Sequence, residues 1–232
     1  MRAARSAPLD FRRKRLIIYD LDGTLVDTRR DIVDGANHMR VSLGMYPIVD
    51  ERIWGCVGKG LFHFVQHCLE TEDAKRIRAG AKIYRQYYAK HMLDKSDLYP
   101  GAREFLELFR GERQAVITNK PNPYTTTMLR ELFVSRYFFK IVAGDTEFPH
   151  KPDPASTLAL IKEAKVHPAE TLWVGDSEVD IETARAAGVH VIVLCHGFVN
   201  KEKLKAAKPD ALFKDFRALV IETKKALFGG RS

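Results

Sequence analysis

The 232-residue sequence predicts an α/β protein, a parallel-sheet sandwich with a helical domain inserted after its first strand. Three observations carry that expectation. Short, near-continuous apolar runs end in polar residues, helical patterns follow most of them, and residues 28–98 show helical spacing with no convincing strand.

Leu16-Ile-Ile-Tyr19 runs into Asp20-Leu-Asp22-Gly-Thr24, and Gln114-Ala-Val-Ile117 runs into Thr118-Asn-Lys120. Thr171-Leu-Trp-Val174 leads to Gly175-Asp176-Ser177, and His190-Val-Ile-Val-Leu194 to Cys195-His-Gly197; Lys140-Ile-Val-Ala143 is a weaker run. A strand buried on both faces lacks polar alternation, so these runs read as strands of a parallel sheet. Parallel neighbours need crossovers, and helices are expected at 101–110, 122–135, 154–165, 178–187 and 215–228. Ligands of such sheets bind beyond the carboxyl ends of the strands, where the polar clusters fall.

Residues 28–98 interrupt this rhythm. Helices are expected at 28–43, 58–69 and 73–93, with Ile32, Ala36, Met39 and Leu43 at helical spacing. That much helix exceeds a simple crossover and predicts a separate helical domain at 28–98. Tyr99-Pro-Gly101 marks re-entry to a core made of 15–27 and 99–232.

Composition narrows the function. Apolar residues at 45% and charged residues at 29% exclude a disordered or low-complexity chain. The net charge of +8 sits at the ends: residues 1–15 and 201–232 carry +5 each, and 16–200 carry −2. Residues 1–14 read as a solvated basic arm, and the lysines of 201–208 as an exposed helix face. No aromatic platform or recognition helix accompanies the arm, which disfavours nucleic acid as a partner. Cys56, Cys68 and Cys195 are odd in number and lack a C-x-x-C pair, which suits reduced thiols in the cytoplasm. No apolar run precedes Leu16 and none approaches the ~18 residues of a membrane span, so neither a secretory leader nor a membrane partner is expected.

Asp20 and Asp22 flank one leucine at a strand end, and Gly23-Thr24 completes a turn. Asp-Gly alone is ordinary turn chemistry. Thr118, Lys151, Asp176 and Asp180 follow in order, each at a strand end or before a helix, which turns do not explain. Together, Asp20-Leu-Asp-Gly-Thr-Leu-Val-Asp27, Thr118-Asn-Lys-Pro121, Lys151-Pro-Asp-Pro154 and Gly175-Asp-Ser-Glu-Val-Asp180 resemble the four motifs of the haloacid dehalogenase superfamily. They stand in that family's order, and the resemblance spans residues 15–228. Residues 28–98 resemble its helical cap. Gly55-Cys-Val-Gly58-Lys-Gly60, Thr118–Pro121 and Pro209-Asp-Ala-Leu-Phe213 are similar to its phosphoglycolate phosphatase branch.

The resemblance implies a Rossmannoid core and a phosphatase using an aspartyl-phosphate. Asp20 would attack phosphorus, and Asp22 would protonate the leaving oxygen and then activate water. A free Asp, with a pKa of ~3.9, holds no proton at neutral pH, so neighbouring negative charge must raise it. The same carboxylates repel a dianionic substrate, which calls for a cation. The resemblance implies Asp20, Asp176 and the backbone carbonyl of Asp22 as ligands, and all-oxygen ligation points to Mg²⁺. Lys151 would meet the phosphoryl oxygens and Thr118 would donate its hydroxyl. Backbone N–H groups of Leu21–Gly23 and Asn119 would complete the cradle. Thr24, Ser177 and Asp180 would support the metal ligands from behind.

Asp22 disfavours a dehalogenase or phosphonatase and leaves a beta-phosphoglucomutase-like phosphomutase open. The leading substrate is 2-phosphoglycolate. Alternatives are another small phosphorylated metabolite handled by a nucleotidase, pyrophosphatase or sugar phosphatase, in a monomer or homodimer. Lys59 either meets the anionic tail of the substrate or is a solvated lysine at a helix-entry turn. His63 and His67, lacking the Glu of H-E-x-x-H, are expected to pack within the cap. Tyr84, Tyr87 and Tyr88 read as partly buried cap surface, and Cys195-His196 as structural.

Overall fold

Leu16–Tyr19 (β1) lies inside a six-stranded, all-parallel sheet in the computed structural model, which describes residues 9–229. The chain next forms β2 (Val26–Asp27) and four helices: α1 (Arg29–Ser42), α2 (Asp50–Trp54), α3 (Leu61–Leu69) and α4 (Ala74–His91). It returns through β3 (Asp97–Leu98), α5 (Ala102–Leu108), β4 (Arg113–Ile117), α6 (Tyr124–Glu131), β5 (Lys140–Val142) and α7 (Ala155–Ala164). The sheet is completed by β6 (Thr171–Gly175), α8 (Glu178–Ala186), β7 (His190–Leu194), α9 (Lys201–Ala206), β8 (Ala211–Phe213) and α10 (Phe216–Phe228).

The strand order β5-β4-β1-β6-β7-β8 places β1 between β4 and β6, with Leu16 level with Arg113 and Thr171. Ile17 and Tyr19 face Phe105 and Phe216 in one apolar layer, while Leu16 and Ile18 join Trp173, Leu160 and Ile181 in the other. Both faces are covered, which explains the unbroken apolar run of β1. Tyr19 meets Phe105 edge-on at 6.2 Å and donates its hydroxyl to Gln114 Oε1 at 2.8 Å. Gln114 Nε2 in turn donates to the Leu106 and Phe109 carbonyls at the end of α5. A buried polar pair is tolerated here because every group finds a partner. Among the described residues, no helix is long and apolar enough to cross a membrane.

Several expectations need correction. Residues 28–98 are not strand-free, because Asp97–Leu98 pairs antiparallel with Val26–Asp27. Two-residue strands are too short to show a period. A further short helix, α2, precedes α3, and α3 starts at Leu61 because Gly60 sits at φ 87°, outside helical space. Pro209–Phe213, given no secondary structure by its composition, supplies the edge strand β8.

Residues 9–14 are only in part a solvated arm, with Asp10, Arg12 and Arg13 exposed; 1–8 of that arm lie outside the described residues. Phe11 is buried, and so is Lys14, whose Nζ donates to the Ala169 carbonyl at 2.7 Å and to His190 Nδ1 at 2.7 Å. The Ala169 and Thr171 carbonyls replace water around that ammonium, although burial still lowers its pKa to about 8. His63 and His67 do not pack inside; both are exposed. Tyr84 and Tyr88 are fully enclosed instead of forming cap surface, and only Tyr87 is half-buried, stacked on His38 and His91.

Candidate active site

Asp20 directly follows β1, Thr118 follows β4 and Asp176 follows β6. Because these strands are parallel neighbours, all three residues emerge on one edge of the sheet. Ser177 caps α8 by accepting the Asp180 N–H, and its hydroxyl donates to Asp180 Oδ2 at 2.6 Å. That cap turns Asp180 back toward the strand end. The carboxylates of Asp20, Asp176 and Asp180 come within 4.8 Å of one another, and all three residues are buried. Lys151 Nζ lies between two of them, 2.7 Å from Asp20 Oδ1 and 2.8 Å from Asp180 Oδ1, with its side chain 3% exposed.

Burial dominates the electrostatics. It pushes the Asp20 carboxyl up to about 7, with Lys151 opposing and the charge of Asp180 adding to the rise. Burial, then the charges of Asp180 and Asp20, raise Asp176 well above the ordinary carboxylate range. Lys151 is disfavoured by burial, but Asp180 and Asp20 outweigh that and raise its pKa. One ammonium therefore does not neutralise three enclosed carboxylates.

A hard divalent cation fits this deficit, since carboxylate and carbonyl oxygens are its preferred donors. Asp176 is held ready for such a role: Oδ1 accepts the Thr24 hydroxyl at 2.9 Å and Oδ2 accepts the Phe198 N–H at 3.0 Å. Asp180 is spent on Lys151, Ser177 and the Asp176 N–H, so its carboxylate braces the group from behind. Gly197 is required by the close approach of its loop, because a Cβ there would lie 2.0 Å from Asp176 Oδ2. The Gly23 N–H, expected in an anion cradle, is instead taken by the Val26 carbonyl at 2.9 Å, because the turn after Asp22 closes on itself.

Asp22 faces the helical layer. Its carboxylate receives Lys120 Nζ at 3.0 and 3.2 Å, and the same ammonium donates to Tyr88 Oη at 2.7 Å. Thr118 Oγ1 accepts the Lys120 N–H at 3.2 Å and lines the same cavity. The Asn119 side chain does not point at open space; it bridges Lys151 to the Gly58 carbonyl. Lys59 is exposed beside a cleft of about 890 Å³ that also reaches Asp20, Lys151 and Asp176. A second cavity opens from Asp20 and Asp22 toward Leu61, Phe64, Tyr84 and Tyr124.

Spacing and composition give Lys120, Tyr84 and Tyr88 no site role. For Lys120 the one local signal is a cation following an apolar strand inside the Thr118–Pro121 motif. The tyrosines carry none, since helical spacing does not say which partner a stripe faces.

A family model described as haloacid dehalogenase-like hydrolase matches residues 17–194. The phosphoglycolate phosphatase of Pseudomonas putida is 34% identical over 215 residues, which cover 89% of this chain and 78% of that protein. Phosphoglycolate phosphatase 1 of Pseudomonas aeruginosa is 33% identical over the same shares. A crystal structure described as a predicted phosphoglycolate phosphatase from Haemophilus somnus superposes with a TM-score of 0.86 at 27% identity, covering 91% of this chain and 98% of that one.

Proposed function

The chain belongs to the haloacid dehalogenase-like hydrolases, and on that premise we propose that it is a Mg²⁺-dependent phosphatase of 2-phosphoglycolate. The observation that carries the reading is the group of Asp20, Asp176 and Asp180 with Lys151 clamped among them at the strand ends. The substrate comes from the two relatives above, both named phosphoglycolate phosphatase, at 33–34% identity. In this reading residues 28–98 form a cap over the core, and the enzyme works in the cytoplasm on a small metabolite.

Asp20 attacks phosphorus, forming an acyl-phosphate bond as the ester P–O bond breaks. Asp22 gives a proton to the departing alkoxide and later takes one from the water that hydrolyses the aspartyl-phosphate. Lys151, fixed by Asp180, keeps positive charge against the transferring oxygens, and Thr118 donates its hydroxyl to them. Mg²⁺, held by Asp20, Asp176 and the Asp22 carbonyl, would supply charge neutralisation on the phosphoryl group. Thr24, Ser177 and Asp180 hold those ligands in place.

The test is phosphate release from 2-phosphoglycolate, a sugar phosphate, a nucleoside monophosphate and pyrophosphate, each with Mg²⁺ or chelator. 2-Phosphoglycolate is expected to turn over fastest, with no release under chelation. Isomerisation of a sugar phosphate without phosphate release, or full activity in Asp20→Asn, overturns the reading.

A further inference from the structure

We propose that Lys120, seated on Tyr88, is the binding site for a carboxylate on the leaving group, which makes short α-carboxylated phosphate esters the substrate class. The inference rests on the phosphatase reading above and assigns a residue to its specificity.

Lys120 is enclosed, with its side chain 6% exposed, and its ammonium has two partners, Asp22 and Tyr88 Oη. It also sits 4.5 Å from the centre of the Tyr88 ring. Lys151 already serves the Asp20 side of the site, bound to Asp20 and Asp180. Lys120 therefore brings a second positive charge to Asp22, the group that meets the leaving oxygen in this reading.

Distance selects the group it takes. An oxygen hydrogen-bonded to Asp22 lies within roughly two hydrogen-bond lengths, ~6 Å, of Lys120 Nζ. In an α-carboxylated ester the carboxylate is borne by the carbon attached to that oxygen, which brings its oxygens toward the ammonium. Tyr88 Oη accepts from Lys120, so its own proton remains to be donated to the same anion.

The surrounding walls sharpen the preference. Leu61, Phe64, Tyr84 and Tyr124 close the cavity around this pair, and they offer an anion mostly hydrocarbon and ring surface. An anion enters such a space only against a fixed cation. A carboxylate draws the hydrogen bonds of Lys120 away from Asp22, leaving Asp22 to the ester oxygen. A neutral leaving group leaves Lys120 on Asp22, where it competes with that oxygen. Discrimination thus comes from attraction of one class and a mispaired Asp22 for the other.

The experiment compares 2-phosphoglycolate with ethyl phosphate, the same ester skeleton without the carboxylate. In the full-length protein with Mg²⁺, the kcat/KM ratio between the two is expected to fall about 30-fold or more in Lys120→Met, chiefly through the KM for 2-phosphoglycolate. Lys120→Arg is expected to retain most of the ratio, and Tyr88→Phe to lower it by several-fold. Calorimetric binding to Asp20→Asn protein reads the same preference without turnover, and adding Lys120→Met should erase it. An unchanged ratio in Lys120→Met, or equal affinity of Asp20→Asn for both esters, overturns the proposal. A Lys120-dependent binding preference in a protein that hydrolyses neither ester supports this subsite and counts against the phosphatase reading alone. If Lys120→Met does not fold, Tyr88→Phe and Lys120→Arg carry the comparison.

Discussion

Asn119 and Lys151 are joined by two hydrogen bonds across the strand ends: Asn119 Oδ1 accepts the Lys151 N–H at 2.9 Å, and Asn119 Nδ2 donates to the Lys151 carbonyl at 3.1 Å. The same Nδ2 donates to the Gly58 carbonyl at 2.7 Å. One amide thus fixes the backbone beneath the central ammonium and ties it to the loop between α2 and α3.

Asn119→Ala removes all three contacts. It is expected to lower kcat/KM by about 10–100-fold, with both kcat and KM affected, because Lys151 loses its support and the loop its anchor. Asn119→Asp keeps the acceptor for the Lys151 N–H but sets a carboxylate oxygen against the Lys151 and Gly58 carbonyls, so it should lose at least as much as Asn119→Ala. Hydrogen exchange at residues 55–60 should quicken in both variants; unchanged exchange would refute the tie to Gly58.

Gly197→Ala tests Asp176. The added methyl meets Asp176 Oδ2 and displaces it from the Phe198 N–H. In wild type, Mg²⁺ is expected to raise the Tm, because a ligand of the folded state stabilises it. The variant should lose that increment and about 100-fold in activity. A full Mg²⁺ shift in Gly197→Ala would show that Asp176 does not hold the cation.

Asp20 makes metal-free stability fall with rising pH. Its carboxyl titrates near 3.8 when unfolded and at about 7 when folded, so the folded state binds more protons between those values. Stability from this group is complete below pH 3.8 and declines until pH 7. Asp20→Asn should flatten that decline in urea melts without metal, and be more stable than wild type at pH 8, while losing turnover by at least ~10³-fold. A variant whose melts keep the wild-type pH slope would contradict the assignment.

His196 acts in the opposite sense. Its ring stacks on Tyr99 at 3.7 Å, its Nε2–H donates to the Thr24 carbonyl at 3.2 Å, and burial lowers its pKa from 6.5 to about 4. The unfolded state then binds more protons between pH 4 and 6.5, so stability is lost as pH falls through that window. His196→Phe keeps an aromatic ring against Tyr99 and should lose less stability on acidification, though it starts about 1 kcal/mol lower at pH 8 from the missing hydrogen bond. Parallel acid limbs in the two proteins would rule this out.

Local spacing carried much of the molecule. Leu16–Tyr19 is legible as an interior strand because it is apolar at every position, and both of its faces are indeed covered. Asp20, Thr118 and Asp176 are legible because each ends such a run, and parallel strands leave their ends on one edge. Elements with little or no period, β3, β8 and α2, escaped, as did the burial of Lys14, which depends on the Ala169 carbonyl and His190 far along the chain.

The partition of charge inside the site belonged to the tertiary structure. Lys120 reaches Asp22 across 98 residues, and Tyr88 comes to it from α4, so no local pattern links the three. Side-chain periodicity records that a residue is to be buried; which groups meet there depends on how the crossovers bring distant elements together. The +8 of the whole chain shows the same division. The counts place the excess at the two ends, but only the fold buries Lys14 at the base of the sheet and pairs Lys151 with Asp20 and Lys120 with Asp22.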